Sequence, residues 1–484
     1  MDFWKRILLI AFLVFGFRVD AFANPQGESV VSGAATFDRS AANTLTVNTT
    51  SNNTIINYNS FSIAANETTR INQPSAGSAV LNRVVGVDPS SIQGNLSSNG
   101  KLFLVNPNGI VFGPGSKVDA PAIVASTLDI ANEDFLNGNY KFFKNGANSY
   151  IINQGRLASR PGGYIALLSQ SVKNEGLILA DLGTVALAAG EKVTLALDSR
   201  SQISVVVDDA VKSEVLGPDG EKIVSAIDNS GTIQANGGKV ILTAKVLNNV
   251  FDYAVNNSGL IQAGSLQEHD GVIELVADGA AVANTGLMTA NTINIEVSNA
   301  DFVNKGSLIS NLVSGLTNTG NISVLADNIM QAGTVAADSE VTVRAAGAIL
   351  TDPAVNNDPA VIIQAKRINL IARQFGSVSA ALRMEAPLTY IYRTAGDINI
   401  LHSLGIGTSM LLRGPPDGFG AIIYNQDTNL TLEVPQGSIS LAPGVNLTAG
   451  NLTLNADNGI INNGSIIVTG TLNLLSNGNV ANTG

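Results

Sequence analysis

Residues Asn229–Val246 read NSGTIQANGGKVILTAKV. The opening Asn-x-Gly reads as a corner, and a short apolar strand follows it. From Gly238 the pattern becomes an alternation, with Val240, Leu242, Ala244 and Val246 on one side and Lys239, Thr243 and Lys245 on the other. A period of two residues belongs to a strand with one buried face, and helical periodicity is absent.

The corner phrase recurs as NQGRLA from Asn153, NEGLILA from Asn174, NSGLIQA from Asn257, NTGLMTA from Asn284, NKGSLIS from Asn304 and NTGNIS from Asn318, with a looser copy, NNGSIIV, from Asn462. Alternating strands lie between, among them GVIELVADG (Gly271–Gly279), INIEVS (Ile293–Ser298), EVTVRA (Glu340–Ala345), RINLIA (Arg367–Ala372) and NLTLNA (Asn451–Ala456). Spacings of roughly 20–28 residues are those of a solenoid coil. The expected fold is all-β, a right-handed parallel β-helix whose coils stack at about 4.8 Å and bury a continuous column of Ile, Leu and Val. About 21 coils would make a rod on the order of 100 Å long. Asn and Gly are expected at corners because they tolerate positive φ, and stacked Asn side chains are expected to pair in ladders. A β-sandwich array is the rival, but it needs turn signals every 8–12 residues rather than one repeated phrase.

Composition sets further bounds. The chain has 484 residues, 45% hydrophobic and 13% charged, with a net charge of −11 and no cysteine. It is too apolar for disorder and long enough for a large core. Its acidity argues against gripping nucleic acid or an anionic membrane by charge. The N-terminus reads as a secretory signal, with Lys5 and Arg6 before the apolar run Ile7–Phe17 and small residues Ala21 and Ala23 at the cleavage site. The run is too short for a membrane span. An exported chain without disulfides must draw its stability from core packing, and it stays threadable.

The segment from Asn24 to about residue 200 differs from the repeats. It carries the aromatic stretch DFLNGNYKFFKNG (Asp134–Gly146) and the turn Asn106-Pro107-Asn108-Gly109 between Leu102–Val105 and Ile110–Phe112. Asn at the first position, Pro at the second and Gly at the fourth suit a type I turn. A solenoid end must hide its open strand edge, so this segment is expected to be a capped N-terminal domain, followed by a repeat shaft over residues 201–484. Ala481-Asn482-Thr483-Gly484 looks like the opening of one more phrase, so the shaft is expected to continue beyond it.

The run VLNRVVGVDPSSIQGNLSSNGKLFLVNPNGIVFGPGSKVDAPAIVASTLDI (Val80–Ile130), with NYNSFSI (Asn57–Ile63) and INQPS (Ile71–Ser75) before it, resembles the N-terminal secretion domain of the filamentous haemagglutinin family. The specific likeness covers about Asn24–Ile130, and Gly155–Leu195 also resembles these exoproteins. The resemblance implies a two-partner secretion substrate. The general export machinery would take it across the inner membrane, and an outer-membrane transporter barrel with periplasmic docking domains would then recognise the N-terminal domain. Carried onto this sequence, the recognition motif is Asn106, Pro107, Asn108, Gly109 and Ile110, with Asn82 and Arg83 in the same shared block. A second Asn-Pro motif, common in the family, has no clear counterpart here. The protein is expected as a secreted or surface-exposed, monomeric adhesin that binds a host or cell-surface receptor or glycan, with no nucleic-acid partner and no cofactor. The alternatives are the N-terminal part of a large toxin or contact-dependent inhibition exoprotein, or a polysaccharide-active β-helix enzyme using the Asp208-Asp209 pair. Two histidines far apart, His269 and His402, and no cysteine argue against a metal cluster or a thiol- or His-based triad.

Overall fold

The computed structural model describes residues 24–197, 203–266, 269–310, 320–355, 358–377, 379–386, 388–393, 398–402, 409–412, 429–434, 438–441, 443 and 446–484. The expected cleavage residues Ala21 and Ala23, and Asn318-Thr319 of one corner phrase, lie outside them. Strands dominate, and successive coils pair in parallel register. A typical coil has three strands, such as Tyr253–Asn257, Leu260–Ala263 and Val272–Asp278. Each pairs with its equivalent one coil on: Ala281–Asn284, Leu287–Ala290 and Thr292–Ser298. The chain is a parallel β-helix.

The register explains the apolar periodicity. Ile178, Ile233, Ile261, Met288, Leu308, Val335 and Ile363 follow one another at equivalent positions, and all are buried. A second column runs through Leu187, Leu242, Leu275, Ile295, Val324, Val343 and Leu370. Each such side chain stabilises the fold by about 1.5–3 kcal/mol on burial.

The Asn-x-Gly phrase has two structural duties. Its asparagines point inward and form a ladder, each Nδ2 donating to the Oδ1 of the next coil. Asn153 donates to Asn174 (2.8 Å), Asn174 to Asn229 (2.7 Å), Asn229 to Asn257 (2.7 Å), Asn257 to Asn284 (2.8 Å) and Asn284 to Asn304 (2.9 Å). Gln331 closes the run, accepting from Asn304 at 3.4 Å. All six asparagines are fully buried, so the ladder satisfies polar groups that would otherwise be costly. The steps span 21, 55, 28, 27, 20 and 27 residues. The glycines have a different cause from the expected positive φ, which the glycines of this stack lack. They stack on one another's backbone: a Cβ on Gly259 would lie 2.1 Å from the Gly231 carbonyl oxygen, and one on Gly286 would lie 2.1 Å from that of Gly259. Close approach between coils, not turn conformation, demands glycine here.

The 55-residue step contains an excursion. Strands Lys192–Leu197 and Ile203–Asp209 leave the coil and join Asp129–Ile130 and Tyr140–Phe143 in a four-stranded antiparallel sheet. This sheet and the short helix Asn132–Leu136 lie against the flank of the solenoid. The strands beneath are therefore buried on both faces, as in Leu102–Val105 and throughout Thr184–Ala189. Phe103, Phe135, Tyr140, Phe142, Tyr164 and Val193 belong to this second core. Phe103 packs edge-on to Phe135 at 5.2 Å. The aromatic stretch Asp134–Gly146 thus covers the flank. Near the N-terminus two antiparallel pairings interrupt the parallel pattern, Ser29–Ser32 on Asn53–Tyr58 and Ala35–Asp38 on Thr44–Thr49, and such pairings occupy strand edges.

Candidate functional site

The Asn106–Gly109 turn joins the strand Lys101–Val105 to Ile110–Phe112. The Gly109 N–H donates to the Asn106 carbonyl at 3.2 Å, which closes a β-turn. Asn106 is fully buried. Its Nδ2 donates to the Asp88 carbonyl and to Ser90 Oγ, both at 3.0 Å, and its Oδ1 accepts from the Asn108 N–H at 3.0 Å. That last bond is an Asx turn and sets the direction of the peptide after Pro107. Gly109 has φ +122°, the one position in the turn that needs glycine's freedom. Ile110 is buried in the main core.

Pro107 and Asn108 are presented outward, half-buried and exposed respectively. Asn108 Nδ2 donates to the Gly86 carbonyl at 2.9 Å, which ties the turn to the loop Val85–Asp88. A Cβ on Gly86 would lie 2.0 Å from the Asn59 carbonyl oxygen, so this loop is pressed against the coil before it. Val85 and Val87 flank it and are 55% and 85% exposed. These two valines were not singled out in the sequence; the signal available was the break in alternation at VVGVDPS.

Asn82 and Arg83 lie elsewhere in the same framework. Asn82 is fully buried within the coil and donates from Nδ2 to the Phe103 carbonyl at 3.0 Å. Arg83 donates from Nε to Asp129 Oδ1 at 2.9 Å and from Nη1 to Asn132 Oδ1 at 2.6 Å, and its Nη2 also donates to the Ile130 carbonyl. One guanidinium therefore holds the start of the flank excursion through planar, charge-assisted bonds.

Asp208 and Asp209 are exposed on the last strand of the flank sheet, where Asp208 Oδ2 accepts from Thr194 Oγ1 at 2.7 Å. Among the described residues no three His, Cys, Asp or Glu side chains are grouped to hold a metal ion, and no helix is long and apolar enough to cross a membrane.

Residues 21–290 match the sequence model of the TPS secretion domain, the two-partner secretion module. The chain belongs to the TPS secretion domain family. A secretion domain of this family implies export through an outer-membrane transporter partner. Two heme/hemopexin-binding proteins of Haemophilus influenzae are similar to it. One, from strain Rd, is 33% identical over 262 residues, covering 52% of this chain and 27% of the relative. The other is 26% identical over 275 residues, covering 52% of this chain and 28% of the relative. The aligned part thus spans about a quarter of each relative. The crystal structure of the HMW1 secretion domain from Haemophilus influenzae shares the fold, with a TM-score of 0.50 and 22% identity, covering 93% of this chain and all of that one.

Proposed function

We propose that Pro107 and Asn108, with Val85 and Val87 beside them, form the surface that the transporter's periplasmic docking domains recognise. The carrying observation is the division of labour within the turn. Asn106, Gly109 and Ile110 are consumed by folding, whereas Asn108 is exposed at the end of a rigid network. A side chain held in place but turned to solvent loses little entropy on binding. Asn82 and Arg83 support this surface from within, through the coil and the flank excursion.

We divide the chain near residue 200 into a secretion domain and a repeat shaft, and read the whole as a monomeric, secreted or surface-exposed adhesin. Its activity is binding without catalysis, toward a cell-surface receptor or glycan. The relatives bind heme or hemopexin by name, which supports a binding role for exoproteins of this kind without naming the ligand here. The export reading is tested by Asn108→Ala and Pro107→Ala in cells carrying the transporter. The expected result is periplasmic accumulation of the signal-cleaved chain; undiminished release into the medium would refute recognition at this turn. The adhesin reading is tested separately, by measuring attachment of purified secreted protein to host cells.

A further inference from the structure

The strand Ile110–Phe112 that leaves the turn is followed in parallel register by Tyr150–Asn153, Ser171–Asn174 and Ser225–Asn229. Their outward side chains form one surface, with Ile152, Lys173 and Asp228 at successive levels. A hairpin arches over it. The Gly217 N–H donates to the Glu221 carbonyl at 2.9 Å, Leu216 bridges Lys222, and Gly220 turns the chain at φ +78°. Asn148 ties down the hairpin's entry, donating from Nδ2 to the Ser213 and Glu214 carbonyls at 2.8 Å. Between hairpin and strands lies a cleft of about 270 Å³.

The cleft starts beside the recognition turn: Tyr150, which lines it, has its Cε2 3.5 Å from where a Cβ on Gly109 would sit. Its electrostatic balance is acidic. Asp219, Glu221 and Asp228 line it, as do Lys173 and Lys222. Both lysines are already held by carboxylates that do not line the cleft, Lys173 by Glu175 at 2.6 Å and Lys222 by Glu214 at 3.2 Å. Asp219 and Glu221 have no ion pair among the described residues. Burial raises the pKa of Asp228 against the opposing effects of Asn256 and Lys173. A further feature points to an occupant. Ser225 lines the cleft at 2% exposure, and its buried Oγ has no hydrogen-bond partner, a state that is costly unless a ligand or water completes it.

We infer that this cleft receives a basic side chain, lysine or arginine, projecting from the transporter's docking domain as that domain seats on the Asn106–Gly109 turn. The half-buried Tyr150 ring and Ile152 suit the aliphatic stem of such a side chain, and the carboxylates suit its charged head. Continuity with the turn favours a protein partner over a free sugar amine. The inference rests on the recognition reading above, and its test separates the two.

The experiment measures binding of the mature chain to the periplasmic docking domains of its transporter across a salt series. Asp219→Lys, on the exposed hairpin, and the triple variant Asp219→Asn/Glu221→Gln/Asp228→Asn are expected to weaken binding by about tenfold or more and to flatten the salt dependence, with unchanged circular dichroism. Asn108→Ala reports on the turn itself. If Asn108→Ala abolishes binding while both folded charge variants bind like wild type, the turn is the recognition site and the cleft proposal is wrong. If Asn108→Ala and both folded charge variants all bind like wild type, the underlying recognition reading fails as well. Glucosamine serves as the competing probe. Its binding to the wild-type cleft without displacing the docking domains would make the cleft a sugar site and overturn the proposal.

Discussion

At the residue scale, the Asn-x-Gly phrase shows how one short motif meets two constraints of stacking. Asn257 accepts from Asn229 and donates to Asn284, so Asn257→Ala leaves two buried amides short of a partner. We expect a loss of about 2 kcal/mol or more, read as a lower urea midpoint. Gly259→Ala places a methyl 2.1 Å from a backbone oxygen and must push two coils apart. It should destabilise by more than Asn257→Ala. Ser258→Ala, at the exposed middle position of the same phrase, should shift stability by less than about 0.5 kcal/mol. Equal effects at all three positions would contradict the ladder. Both residue types were legible as corners in the sequence. That the glycines serve close packing rather than positive φ was not, because the contact lies 20 to 55 residues away.

At the element scale, the flank sheet is where local pattern and tertiary outcome part. DFLNGNYKFFKNG announced itself as different, but its partner strand Lys192–Leu197, with Ile203–Asp209 beyond it, comes from a later excursion of another coil. Arg83 fastens the near end of this sheet, and Arg83→Ala should cost about 2–3 kcal/mol, leaving Asp129 half-buried without its cation. Hydrogen exchange should rise first in residues 129–143. Glu191 fastens the same end across the neighbouring strands. Burial works to raise its pKa, but Lys144, at 3.1 Å, and Lys212 outweigh burial and hold it below the ordinary glutamate value. The unfolded chain then binds the proton more readily than the folded one as pH falls. The stabilisation from Glu191 is therefore full above the ordinary glutamate pKa and is lost as pH drops through the lowered folded value. Glu191→Gln should flatten the acid limb of a stability–pH curve, and an unaltered acid limb would show that the pair contributes nothing.

At the scale of the whole molecule, stacking makes stability a sum of neighbouring-coil terms, so local damage should stay local. In the Asn257→Ala variant, faster hydrogen exchange should be confined to its own and adjacent coils; uniform acceleration along the chain would mean one cooperative unit. A stacked rod also scatters differently from a compact body. A compact chain of this length would have a radius of gyration of about 23 Å, whereas a rod on the order of 100 Å should exceed that clearly in small-angle scattering. A solenoid whose coils close mainly on their sequence neighbours can wind up progressively as it emerges from a transporter, which matches export through a partner.

The repeat period, the strand alternation, the stacked polar ladder and the turn at Asn106–Gly109 could be read from the sequence, because each depends on residues within one coil or on the recurrence of the same residue type. Tertiary structure decided which members of that turn face outward, that Asn82 is buried while Arg83 clamps the flank, and that Val85, Val87 and the Tyr150 cleft border the turn. Those outcomes depend on which strand stacks on which. Insertions of unequal length, such as the one that makes a 55-residue step between Asn174 and Asn229, set the neighbours without leaving a mark in local pattern.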